Sequence, residues 1–78
     1  NMSSSHFQKQ FKNTLGISPI DYVNTERIKF SKKLITEDKK RSITDVAFLS
    51  GFNNVSYFNR QFKKQVLVAP SKFRKDIN

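Results

Sequence analysis

Apolar residues recur at helical spacing in successive stretches of the chain, with polar punctuation between them. Phe7, Phe11 and Leu15 return every four residues and make one apolar stripe of a helix over 3–15. Ser3 is a suitable N-cap for it, and Gly16 stands where helices commonly end in a left-handed residue. Ser18 followed by Pro19 signals a new start. Tyr22, Val23, Ile28, Leu34 and Ile35, with the small Ser31, then predict one long helix over 19–36, about 27 Å in length. Glu37 to Arg41 holds no apolar residue and reads as a loop. Ser42 with Asp45 three residues later has the form of a capping box and opens a helix over 42–50, with Ile43, Val46 and Ala47 inward. Gly51 stops it, because a positive φ costs glycine little. Asn54 or Asn53 caps a further helix reaching about Val66, on which Phe58 and Phe62 lie one turn apart among Arg60, Lys63 and Lys64. Ala69 and Pro70 open a last short helix whose Phe73 packs back. Two short helices, a glycine turn between them and a basic second helix are the sequence form of a helix-turn-helix.

The chain also repeats itself. Phe7 and Phe58 stand 51 positions apart, and so do Phe11 and Phe62, Ser5 and Ser56, Gln10 and Gln61, Lys12 and Lys63, and Pro19 and Pro70; Tyr22 answers to Phe73. Both ends therefore carry one unit: a basic helix, a break, then a proline opening the next helix. The 42–50 helix precedes the second copy, and its counterpart would lie before residue 1. The expected organisation is one domain over 1–78. Residues 1–16 form the second helix of a truncated first helix-turn-helix, 17–36 a linker helix, and 42–78 a complete second helix-turn-helix with a C-terminal helix.

The second unit resembles the C-terminal half of AraC/XylS-type transcription regulators. The matching residues are Ile-Thr-Asp-Val-Ala at 43–47, Gly51 and Phe52, Ser-Tyr-Phe at 56–58, Arg-Gln-Phe-Lys-Lys at 60–64, and Pro-Ser-Lys-Phe-Arg at 70–74. The earlier stretch is similar to the same family through Met2, Phe7, Phe11, Lys12, Gly-Ile-Ser-Pro at 16–19, Tyr22, Val23, Arg27 and Ile28. The resemblance implies an all-α fold, two homeodomain-like helix-turn-helix units joined by a long helix, with both recognition helices entering adjacent major-groove segments of double-stranded DNA. Groove segments on one face repeat about every 34 Å, a spacing that a helix of about 27 Å can hold. Two positions depart from the family pattern. Leu67 stands where the family has Gly, and Ala69 where it has Ser or Thr. A leucine at a left-handed cap costs roughly 1 kcal/mol relative to glycine. The expectation is that the helix before Leu67 ends differently, or that the last helix is loosely held.

The resemblance aligns Ser56, Asn59 and Arg60 with base-contacting positions. Arginine can pair two donors with guanine, and asparagine can pair with adenine. Helical phase agrees, since positions 56, 59, 60 and 63 share a face away from Phe58 and Phe62. In the first copy the equivalents are Ser5, Gln8 and Lys9. Lys12, Arg41, Asn54 and Lys63 are phosphate candidates, which would position the domain without reading sequence. The bland alternative for all of these is a solvated polar face, and it weighs more in the first copy, whose supporting helices are absent. His6 corresponds to Tyr57 and reads as partly packed. Phe7, Phe11, Phe58 and Phe62 read as core. Phe30, Phe48 and Leu49 lie at the edges of their stripes, where a missing domain or a partner such as RNA polymerase would find them.

Composition narrows the function classes. Fifteen Lys and Arg against six Asp and Glu give a net charge of +9 and an isoelectric point near 10.2, which points to a polyanionic partner. The 78 residues suffice for one small domain, and eight Phe and two Tyr compensate for its size. There is no Cys and one His, so no metal site is expected. Carboxylates are scattered, and neither a glycine-rich phosphate loop nor a Cys–His pair is present, so neither an enzyme nor a cofactor is expected. Asp45 beside Thr44 reads as a cap. No apolar run approaches a membrane span and no signal-peptide pattern opens the chain, so the expected location is the cytoplasm. Effector sensing or dimerisation is expected outside these residues. The rival reading is a basic amphipathic module that binds an anionic membrane or a protein partner through 19–36.

Overall fold

The structure is a computed structural model that describes residues 16–77. The expected 3–15 helix, with Ser5, His6, Gln8, Lys9, Lys12 and the first-copy phenylalanines, lies outside the described residues. Within them there are only helices: α1 (Pro19–Glu37), α2 (Ile43–Leu49), α3 (Val55–Val66) and α4 (Pro70–Ile77).

Each of the first three helices starts on a side chain that satisfies an orphan backbone donor. Ser18 Oγ accepts from the Asp21 amide at 3.2 Å, Ser42 Oγ from the Asp45 amide at 3.0 Å, and Asn54 Oδ1 from the Tyr57 amide at 2.9 Å. Asp21 and Asp45 add negative charge in the first turns, where the helix dipole favours it. At α4 the Ala69 carbonyl accepts the first helical bond, from the Phe73 amide at 2.9 Å, but its methyl side chain can cap nothing. The ends are equally defined. Gly51 leaves α2 at φ +98°, and the Asp38 amide closes α1 on the Leu34 carbonyl at 2.8 Å. Glu37, expected in the loop, belongs to the last turn of α1.

Helix α1 packs against each of the other three. Ile28 and Ile35 meet Val46, Ala47, Phe52, Phe58 and Phe62 in one buried core. Ser31, fully buried on the same stripe, keeps α1 thin where the helices meet, and its hydroxyl donates to the Ile28 carbonyl at 2.7 Å. A ladder of aromatic rings runs through the centre. Successive centroids of Phe52, Phe58, Phe62 and Phe73 lie 5.2, 5.7 and 5.6 Å apart. Truncating a buried ring such as Phe58 or Phe62 to alanine costs about 3–5 kcal/mol. That is a large part of what a domain of this size has to lose.

Two expectations are corrected. Tyr22 and Val23, assigned to the inward face of α1, are exposed, and the inward stripe runs instead through Asn24, Ile28, Ser31 and Ile35. At 100° per residue those four positions fall within a narrow arc, and 22 and 23 fall well outside it. The second concerns Leu67. Helix α3 does end left-handed there, at φ +74°, with the Leu67 amide donating to the Lys63 carbonyl at 2.8 Å. Nor is α4 loose. Phe73 packs edge to face with Phe62, Lys32 Nζ lies 5.9 Å above the Phe73 ring, and an Arg74 guanidinium nitrogen donates to the Asp38 carbonyl at 3.3 Å. Tertiary contacts on both sides of residue 67 over-determine its backbone and outweigh the local strain.

Candidate nucleic-acid interface

Helix α3 has two unlike sides. Phe58 and Phe62 are fully buried, whereas Ser56, Asn59, Arg60 and Lys63 are exposed on the opposite side. The helix holds three basic residues, Arg60, Lys63 and Lys64, and no acidic one. The ion pairs among the described residues, Lys29–Glu26, Arg41–Asp38 and Lys72–Asp76, all lie on other elements. The positive field of α3 is therefore left uncompensated locally. With side chains a helix is about 10–12 Å across, the width of a DNA major groove.

The face is also framed. The starts of α2 and α4 flank α3 and leave an open cleft of about 500 Å³, with Asn59, Arg60 and Lys63 on one wall and Thr44 and Ser71 on the others. Its floor is apolar, formed by Ile43, Val55, Ala69 and Pro70. The cleft thus gathers three cationic or amide groups with two hydroxyls, a donor set suited to phosphate and base edges. Arg60 is not a free rod. Its guanidinium lies 5.8 Å above the Tyr57 ring, a stacking worth about 0.5–1 kcal/mol at an exposed site that restricts its range before any ligand arrives.

Asn59, Arg60 and Lys63 come together in the cleft, and Ser56 lies exposed near the start of the same helix. Asn54 sits at that helix's N-cap with its Oδ1 committed to the Tyr57 amide and its Nδ2 left over as a donor. Arg41 stands apart, in the loop before α2, with Nε donating to Asp38 Oδ2 at 3.0 Å. Sequence reasoning passed over Thr44 and Ser71. Each occupies the second helical position after a serine or alanine start, a register the repeated start signals already mark.

A short helix, a turn through Gly51 and a second helix that is apolar on one side and basic on the other define a helix-turn-helix. A family model described as "Helix-turn-helix domain", of the AraC type, matches residues 1–76. Among curated proteins, the chain is 33% identical over 76 residues to the HTH-type transcriptional regulator MtrA of Neisseria gonorrhoeae, covering 97% of this chain and 25% of that protein. It is 32% identical over 73 residues to the probable transcriptional regulator LumQ of Photobacterium leiognathi, covering 94% of this chain and 29% of that protein. The chain thus spans between a quarter and a third of the length of these relatives. Among solved structures, a protein of unknown function from Listeria innocua superposes with a TM-score of 0.92 at 28% identity, covering 99% of this chain and 72% of that one. The C-terminal domain of the two-component response regulator yesN from Fusobacterium nucleatum gives 0.82 at 30% identity, covering 94% and 70%. This chain belongs to the AraC-type helix-turn-helix family, a family of DNA-binding regulatory domains rather than enzymes.

Proposed function

We propose that this domain reads double-stranded DNA in a sequence-specific way, with α3 as a recognition helix in the major groove and 3–15 as a second recognition helix in the adjacent groove segment. The observation that carries this reading is the acid-free polar face of α3, anchored from behind by Phe58 and Phe62. Arg60 and Asn59 are the base readers, with Ser56 beside them; Ser5, Gln8 and Lys9 take those roles in the first copy. Lys63, Asn54, Arg41 and Lys12 hold phosphates. The domain acts in the bacterial cytoplasm as the reader of a transcription regulator. Effector sensing or dimerisation resides elsewhere in that regulator, and RNA polymerase is the partner met at the promoter.

The rival membrane reading is disfavoured by packing. Ile28, Ser31 and Ile35 of α1 are spent on the domain core, and no described helix is long and apolar enough to cross a membrane. The test is selection from a random duplex pool by the 78-residue chain at two salt concentrations. Two enriched blocks about one helical turn apart are expected. Arg60→Ala should then relax one base pair, at a cost of roughly 1–3 kcal/mol. A uniform loss across all sequences would make Arg60 a phosphate contact instead.

A further inference from the structure

Asn24 is a buried polar residue in an otherwise apolar stripe of α1, 1% exposed. Its Nδ2 donates to the Tyr57 hydroxyl at 2.7 Å, across 33 residues of sequence. Burying an amide costs free energy unless it is hydrogen-bonded, and its Oδ1 has no partner among the described residues. The position is therefore a poor choice for stability alone, where an aliphatic side chain would extend the Ile28 and Ile35 stripe. The rest of the core that α1 and α3 share is apolar, with Ile28 and Ile35 on one side and Phe58 and Phe62 on the other, and apolar contacts are not directional. A hydrogen bond is directional, and this one joins α1 to the residue whose ring lies beneath Arg60.

We propose that Asn24 is a positioning residue for base readout, acting through Tyr57 to fix the rotation of α3 and the seat of the Arg60 guanidinium. The chain of contacts is short: the Asn24 amide to the Tyr57 hydroxyl, then the Tyr57 ring to Arg60, with the Phe52 ring tilted against Tyr57 at a centroid distance of 6.0 Å. Binding constellations must be held within about 0.5 Å and 10–20° to work. A bidentate arginine–guanine pair is the contact most easily lost by a small rotation of its helix. The proposal rests on the assignment of Arg60 as a base reader.

The test measures the affinity of the full chain for its pool-selected duplex and for that duplex with each base pair substituted. The variants are Arg60→Ala, Tyr57→Phe, Asn24→Leu and the double variant of Asn24→Leu with Tyr57→Phe. Tyr57→Phe keeps the ring and removes the hydroxyl. It should lower discrimination about tenfold at the one base pair that Arg60→Ala identifies. In an Arg60→Ala background it should lower it no further. The double variant replaces both hydrogen-bond partners by apolar groups, which restores stability where each single variant loses it. Its melting temperature should recover while its discrimination stays lost. Discrimination that returns with stability, or a Tyr57→Phe effect equal on all sequences, overturns the proposal. If Arg60→Ala itself relaxes no base pair, the base-reading assignment falls and takes the proposal with it. If Arg60→Ala relaxes one and Tyr57→Phe does not, the proposal alone falls.

Discussion

Gly51 lies directly against Arg27. A Cβ built on Gly51 would stand 2.9 Å from Arg27 Nε and 3.3 Å from its Cδ. The same guanidinium rests 5.8 Å above the Phe52 ring, so the turn between α2 and α3 is clamped to α1 by a cation lying across its apex. Gly51→Ala therefore meets two obstacles. The backbone at φ +98° is foreign to L side chains, and the arginine must leave its seat. The expected loss is about 1–2 kcal/mol, a fall of several degrees in melting temperature for a domain of this size. Combining it with Arg27→Ala separates the causes. The steric part vanishes in the double variant and the backbone part remains. Equal losses with and without Arg27 would mean that the contact contributes nothing.

Leu67 tests the reverse case. The residue is 79% exposed and its φ is +74°. A substitution there removes strain without removing packing. Leu67→Gly should stabilise the domain by about 1 kcal/mol, read as a rise in melting temperature, with the binding face of α3 untouched. A fall would mean that the greater freedom of glycine in the unfolded chain outweighs the relief of strain.

The start of α4 offers a second stabilising change. Ser18, Ser42 and Asn54 each accept from an amide three residues on, and Ala69 holds the matching position with no acceptor. Ala69→Ser places an oxygen where it can accept from the Lys72 amide. The expected gain is about 1 kcal/mol. Leu67→Gly and Ala69→Ser act on different helix ends, and their joint effect should approach the sum of the two. A shortfall measured by chemical denaturation would reveal coupling through the short connection between α3 and α4.

Much of this architecture was legible because each start signal is local. Ser18 with Pro19, Ser42 with Asp45, and Asn54 bind amides within their own first turn, so reading the neighbours suffices. The Phe58 and Phe62 stripe and the face opposite it follow from one period. What escaped depends on distant partners. Nothing local marks Asn24, whose partner Tyr57 lies 33 positions away. Tyr22 and Val23 look inward only because they are apolar; the core lies on another arc. Leu67 breaks a local rule that rings and hydrogen bonds around α4 override. The cleft was half legible: Asn59, Arg60 and Lys63 share one helix face, whereas Thr44 and Ser71 reach it only through packing.

Arg41 and Lys63 carry the same charge in different settings, and salt separates them. Each phosphate neutralised by a cation releases condensed counterions, so the slope of log affinity against log salt falls by about 0.9 per contact on duplex DNA. Lys63 projects from α3 into the cleft, in no ion pair among the described residues. Arg41 already shares its charge with Asp38 at 3.0 Å. Lys63→Gln should flatten the salt slope by about one unit and weaken binding to all sequences alike. Arg41→Gln should flatten it by clearly less, because the Asp38 carboxylate already neutralises much of that cation's charge. Asp38→Asn is the complementary variant. If it steepens the slope, Arg41 is a phosphate contact held in reserve by its partner; if it leaves the slope unchanged, Arg41 serves the loop before α2 and not the DNA.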